Sequence, residues 1–127
     1  GAPAPDLWAL DVAGYRWTSY PQGMGSPLPG PRYAFAAAPV GSRVYVHGGL
    51  DANGTVLGGL FILGTASGSV GWSDLSGLSN EPGPRAWHAA ASVAEASGAA
   101  SSIFIFGGLL PDGNATSELW RLRFAGG

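Results

Sequence analysis

The chain has 127 residues, 46% hydrophobic and only 11% charged, with a formal net charge of −2 and no cysteine. This composition suits one ordinary domain and argues against disorder. It removes disulfides, thiolate metal sites and cysteine nucleophiles, but leaves the compartment open. The six basic residues are scattered, so the clustered footprint of a nucleic-acid binder is missing, and no apolar run approaches the length of a membrane span.

The apolar segments are short and are separated by turn chemistry. Leu7–Leu10 and Tyr15–Tyr20 read as two strands, the second carrying Trp17. A proline-stiffened stretch, 21–31, follows, with Met24 and Leu28 as candidate exposed contacts. Tyr33–Ala38 reads as a strand of small residues. Arg43–His47 is rich in β-branched and aromatic residues, and alternation sends Val44 and Val46 to one side and Tyr45 and His47 to the other. Leu60–Leu63 and Val70–Leu75, the latter with Trp72, complete a set of four. The set restarts at Trp87–Val93, continues with Ser102–Phe106 and reaches Leu119–Phe124. Both faces of Arg43–His47 and Ser102–Phe106 are apolar, which predicts that both faces are covered. The Ala-rich stretch 89–100 is the one helical candidate. Its counterpart in the other copy is strand-turn-strand and Ser97-Gly98 would interrupt a helix, so a longer turn is expected there.

The set of four is a repeat. Arg32, Phe35, Gly48-Gly49 and Leu60-Phe61 are answered by Arg85, His88, Gly107-Gly108 and Leu119-Trp120, while Leu7-Trp8 and Trp17 supply the back half of an earlier copy. A period of roughly 50 residues marks stacked or radial units, none of which can bury its apolar faces alone. The pattern resembles the kelch repeat. Arg32, Gly48, Gly49, Trp72, Arg85, Gly107, Gly108 and Trp120 carry the resemblance.

The resemblance implies an all-β chain of four-stranded antiparallel blades from a β-propeller. Residues 7–20 would form the outer strands of one blade, 32–76 a complete blade, and 85–124 the first three strands of another. Fewer than three blades cannot close a ring, so further blades or chains are expected to complete it. Alanines at 34, 36–38 and 89–91 suit the crowded axis of such a ring, and tryptophans its wider rim.

The repetition also ranks the candidate sites. Arg32 and Arg85 occupy equal positions, which favours a structural role on loop carbonyls over an anion site. His47 aligns with Phe106 and His88 with Phe35, so both histidines read as packed imidazoles, and the tryptophans read as core. No catalytic arrangement, metal-ligand spacing or cofactor is evident. Asp51, Asn53, Asp112 and Asn114 lie on equivalent loops and are candidate binding residues. Asn53-Gly-Thr55 and Asn114-Ala-Thr116 are also glycosylation sequons.

The leading expectation is a non-catalytic interaction or scaffold module that presents its loops to a protein partner, with no nucleic acid and no membrane insertion. On this reading the chain is not an enzyme, although the question stays open for the full-length protein. One alternative is a segment of a secreted kelch-like enzyme, resembling galactose oxidase or another metal-dependent member, with its catalytic groups elsewhere. The other is a glycosylated extracellular structural module.

Overall fold

The computed structural model describes residues 2–20, 29–65, 70–94 and 101–124. Nine strands run in chain order: β1 Leu7–Asp11, β2 Arg16–Tyr20, β3 Ala36–Val40, β4 Arg43–His47, β5 Leu60–Gly64, β6 Gly71–Asp74, β7 Ala89–Ala94, β8 Ser101–Phe106 and β9 Leu119–Arg123. They form three antiparallel sheets, β1-β2, β3-β4-β5-β6 and β7-β8-β9, each in sequential order. The described residues contain no helix. Met24 and Leu28 lie outside them, as does the stretch 95–100 between β7 and β8.

The second and third sheets are copies in register. Ala36 pairs with His47 and Ala38 with Tyr45, as Ala89 pairs with Phe106 and Ala91 with Phe104. One strand further out, His47 faces Leu60 as Phe106 faces Leu119. The two sheets pack face to face. Ala38, Tyr45 and Leu60 meet Ile103 and Ile105 in a common core, flanked by Ala90, Trp120, Leu122 and Phe124. The Tyr45 and Phe124 rings lie 5.0 Å apart. Burying each large side chain contributes about 1.5–3 kcal/mol, which suffices to hold two short sheets together.

The strands stand where alternation and turn residues place them, but three expectations change. The first strand of each copy begins later than expected. Tyr33 and Ala86 form only isolated bridges, to Leu50 and Leu109, because Ala34 and Trp87 adopt φ of 58° and 60° and break the ladder. Cover on both faces holds for β4, where Tyr45, Val46 and His47 are buried. On β8 it is complete for one face, where Ile103 and Ile105 are buried, and partial for the other, where Ser102 is buried but Phe106 is 55% exposed. The tryptophans are not a uniform core either. Trp72 and Trp120 are half-buried, but Trp8, Trp17 and Trp87 are 53%, 62% and 66% exposed. The physical reason is shared: these side chains lie on sheet faces or loops that nothing in the described residues covers.

Candidate functional site

The most concentrated polar chemistry lies where the second sheet meets the third. Three backbone hydrogen bonds cross this junction: Gly49 N–H to the Arg85 carbonyl (2.9 Å), Arg85 N–H to the Leu57 carbonyl (3.2 Å) and Trp87 N–H to the Ala34 carbonyl (2.8 Å). They fix the segment Arg85–His88 against the end of β4. Gly48 makes the approach possible. Its φ is +72°, and a Cβ there would sit 2.3 Å from the Arg85 carbonyl oxygen and 2.8 Å from His88 Cε1.

Inside this frame His47 Nδ1 and His88 Nε2 are 3.0 Å apart, with the rings edge to face. At this separation one ring nitrogen donates and the other accepts, an arrangement that two neutral imidazoles satisfy. Burial depresses both pKa values, with the facing charge of Arg85 adding to the effect. His88, which also faces His47, falls to about 4.

Arg85 is 2% exposed. It donates from Nε to the Gly83 carbonyl (3.2 Å) and from Nη2 to Glu118 (3.0 Å). Its counterpart Arg32 donates to the carbonyls of Gly30 and Gly48, both at 3.1 Å. Arg85 Nη1 and His88 Nδ1 are buried without a hydrogen-bond partner. The Arg85 hydrogen bond, followed by that from Trp120, holds the Glu118 carboxyl below its usual pKa. Beside this cluster lies a cavity of about 210 Å³, lined by His47, Leu60, Glu81, Ile105, Trp120 and Leu122 among others. His47 is therefore shared between a sealed polar cluster and a mainly apolar cavity. Sealed neutral imidazoles beside a guanidinium can orient and hydrogen-bond. They cannot exchange protons with solvent readily, so the arrangement favours recognition and junction geometry over proton transfer.

The loop residues singled out in the sequence sit apart from this cluster, and their geometry is that of turn builders. Asp51 Oδ1 accepts from the backbone N–H groups of Asn53 and Thr55, both at 2.9 Å. Asp112 Oδ1 accepts from Asn114 N–H at 2.9 Å, and Asn114 Nδ2 donates to Asp112 Oδ2. Asn53 and Asn114 are exposed on these twin loops. Among the described residues no group of three or more His, Asp or Glu side chains is placed to hold a metal ion, and no helix is long and apolar enough to cross a membrane.

The sequence reading treated the two histidines separately and missed their pairing. The available signal was positional: one ends the second strand of a copy, and the other follows the arginine of the next. Those are the two places that a repeat brings together across its junction.

No family model matches the chain. A stretch of 60 residues, 47% of the chain, is 42% identical to the tRNA wybutosine-synthesizing protein 2/3/4 of Arabidopsis thaliana. The match spans only 6% of that relative's length. It corrects the expectation that the chain is not an enzyme, because the relative is a protein of an enzymatic RNA-modification pathway. The repeat pattern lacks catalytic spacing, but that absence does not exclude a role in enzymatic chemistry.

Proposed function

We propose that this chain is a kelch-type propeller segment of a longer protein that serves a tRNA-modification pathway, and that it presents inter-strand loops to a partner of that pathway. The observation that carries this reading is the repetition of one design on successive sheets. The strand pairing, the left-handed glycines at the end of the second strand and the aspartate-organised loop after it all recur. A design that repeats this closely builds a platform, and chemistry on such platforms resides in the loops they align. The identity shared with the tRNA wybutosine-synthesizing protein supports the choice of pathway. With a net charge of −2 and scattered arginines, the loops suit a protein partner better than the phosphates of RNA.

The test uses the longer polypeptide in a host whose own gene for it is deleted. Nucleoside mass spectrometry of bulk tRNA should show a modified guanosine missing from the deletion strain and restored by the intact protein. Asp51→Lys combined with Asp112→Lys should restore it at least tenfold less well, with the protein still folded. An unchanged tRNA nucleoside profile in the deletion strain would refute the pathway. Full restoration by the double variant would refute the role of the loops.

A further inference from the structure

We infer that the cavity between the second and third sheets is a docking pocket for an arginine side chain carried by a basic segment of a partner protein. The inference rests on the reading of the loops as a partner surface and names the chemistry of that partner.

The topology sorts the charges. In an antiparallel meander, the start of the first strand, the connection from second to third and the end of the fourth share one end. Gly49, Leu57 and Arg85 meet there through backbone hydrogen bonds, and Asp6 shares a cavity with Pro31 and Arg32. Six of the eight acidic residues belong to this end: Asp6, Asp51, Asp74, Glu81, Asp112 and Glu118. Its two arginines offset them little towards solvent. Arg85 is sealed and bonded to Glu118, and Arg32 donates to two carbonyls with its guanidinium over the Phe61 ring. Arg16, Arg43 and Arg123 stand at the opposite end, at the start of β2, the start of β4 and the end of β9. A net charge of −2 is thus distributed as an acidic loop end and a basic far end, and the loop end attracts cations.

The cavity opens at the acidic end. Leu78, 39% exposed, and Glu81 form its rim, and Leu60, Ile105, Trp120 and Leu122 its walls. Glu81 Oε2 accepts from the Gly77 N–H at 3.1 Å, which fixes the carboxylate at the mouth and leaves Oε1 for a ligand. Trp120 Nε1 donates to Glu118 at 3.3 Å, which orients the indole. The guanidinium of Arg121 lies over Phe104, on the other face of β9, and does not compete for the space. His47 is buried with its pKa depressed, so it stays uncharged and does not repel a cation.

These parts select one side chain. The volume of about 210 Å³ is smaller than a drug-sized ligand needs, and it suits a single side chain. Aliphatic walls cover a methylene stem, the indole offers a face to a flat, weakly hydrated guanidinium, and the Glu81 carboxylate receives its N–H groups. Lysine fits less well, because its compact ammonium holds its water more tightly. Acidic segments are repelled by the six carboxylates around the opening.

The test uses a fluorescein-labelled peptide of alternating glycine, arginine and serine, and its twin with citrulline, which keeps the shape of arginine and drops the charge. Fluorescence anisotropy would follow both on the longer polypeptide that carries this chain. The arginine peptide should bind at least tenfold more tightly than its twin. Glu81→Gln and Leu78→Ser, made separately on the exposed rim, should each weaken it several-fold, whereas Asp6→Asn, at the same end but outside the cavity, should not. Equal binding of the two peptides, or binding of neither, would overturn the inference. Equal losses from Glu81→Gln and Asp6→Asn would show attraction without a pocket and overturn it too. Weaker binding of labelled unmodified tRNA to Leu78→Ser than to the parent would assign the cavity to nucleic acid, again against the inference. If neither peptide binds while Asp51→Lys with Asp112→Lys still impairs tRNA modification, the loop reading survives without this pocket.

Discussion

Gly48→Ala and Gly107→Ala are the same substitution at twin positions, and the structure predicts different costs for them. Both glycines have a left-handed backbone, φ +72° and +73°, so alanine at either meets about 1–2 kcal/mol of steric penalty. The loss of glycine's unfolded-state freedom offsets this by about 0.4–1 kcal/mol. That leaves roughly 1 kcal/mol at Gly107, where the added methyl meets only an ordinary contact at 3.5 Å. At Gly48 the methyl would sit 2.3 Å from the Arg85 carbonyl oxygen and 2.8 Å from the His88 ring. Neither neighbour moves freely. The carbonyl accepts the Gly49 N–H that ties the two sheets together, and the ring is held by His47. Overpacking of this kind adds about 1–3 kcal/mol, so the twins should differ by about 2 kcal/mol, a factor of roughly thirty in the folding equilibrium. Urea unfolding followed by tryptophan fluorescence would measure both variants against the parent chain. Equal losses would refute the reasoning, because they would mean that the junction does not close on Gly48.

Three further outcomes follow from the same contacts. Burial depresses the folded-state pKa of His47 and His88, so the unfolded chain binds protons that the folded chain refuses. The pair's contribution is then complete above about pH 6.5 and is lost as pH falls toward the His88 value of about 4. For His88 alone this amounts to up to about 3 kcal/mol, measured as a falling urea midpoint between pH 7 and 4. A midpoint that stays flat or rises over that range would contradict the neutral pair. Glu118→Gln leaves the sealed Arg85 guanidinium without its carboxylate and should lower the thermal unfolding midpoint, by less than the loss of a fully buried pair because Glu118 is 52% exposed. Trp87→Gly relieves a φ of 60° but removes the edge-to-face contact of the indole with Tyr33 at 6.3 Å, so the two effects offset and stability should change by less than about 1 kcal/mol. A larger loss in urea unfolding would show that the indole packs beyond that one ring.

The strands were legible because their signal is local. Arg43–His47 carries β-branched and aromatic residues ending at paired glycines, and β4 has those bounds. The starts of β3 and β7 were not, because Ala34 and Trp87 bend the chain through a backbone conformation that neither residue type announces. Exposure was the least legible property. Phe106 and Tyr45 are equally apolar letters in equivalent strands, and only the presence of a neighbouring sheet separates them. The histidine pair lay in between, since its members are 41 residues apart and meet only when two copies are set side by side.

The ring pair at the sealed junction also constrains how repeats can follow one another. At the sealed junction either histidine could be replaced by phenylalanine as far as volume is concerned, since Phe106 and Phe35 fill the same positions elsewhere. A single replacement, however, leaves the remaining imidazole buried with a hydrogen-bonding nitrogen unpaired, at a cost of about 1–3 kcal/mol. Two imidazoles share one hydrogen bond and two phenyl rings need none, while the mixed pair loses that bond and is penalised. The residue ending the second strand of one repeat is therefore coupled to the residue three places after the arginine of the next, though each belongs to a different unit. Such a coupling discriminates against out-of-order neighbours without altering the sheets themselves. A chain with histidines at its inner junction and phenylalanines at both outer positions then has a defined order, because its inner faces match each other and not its ends.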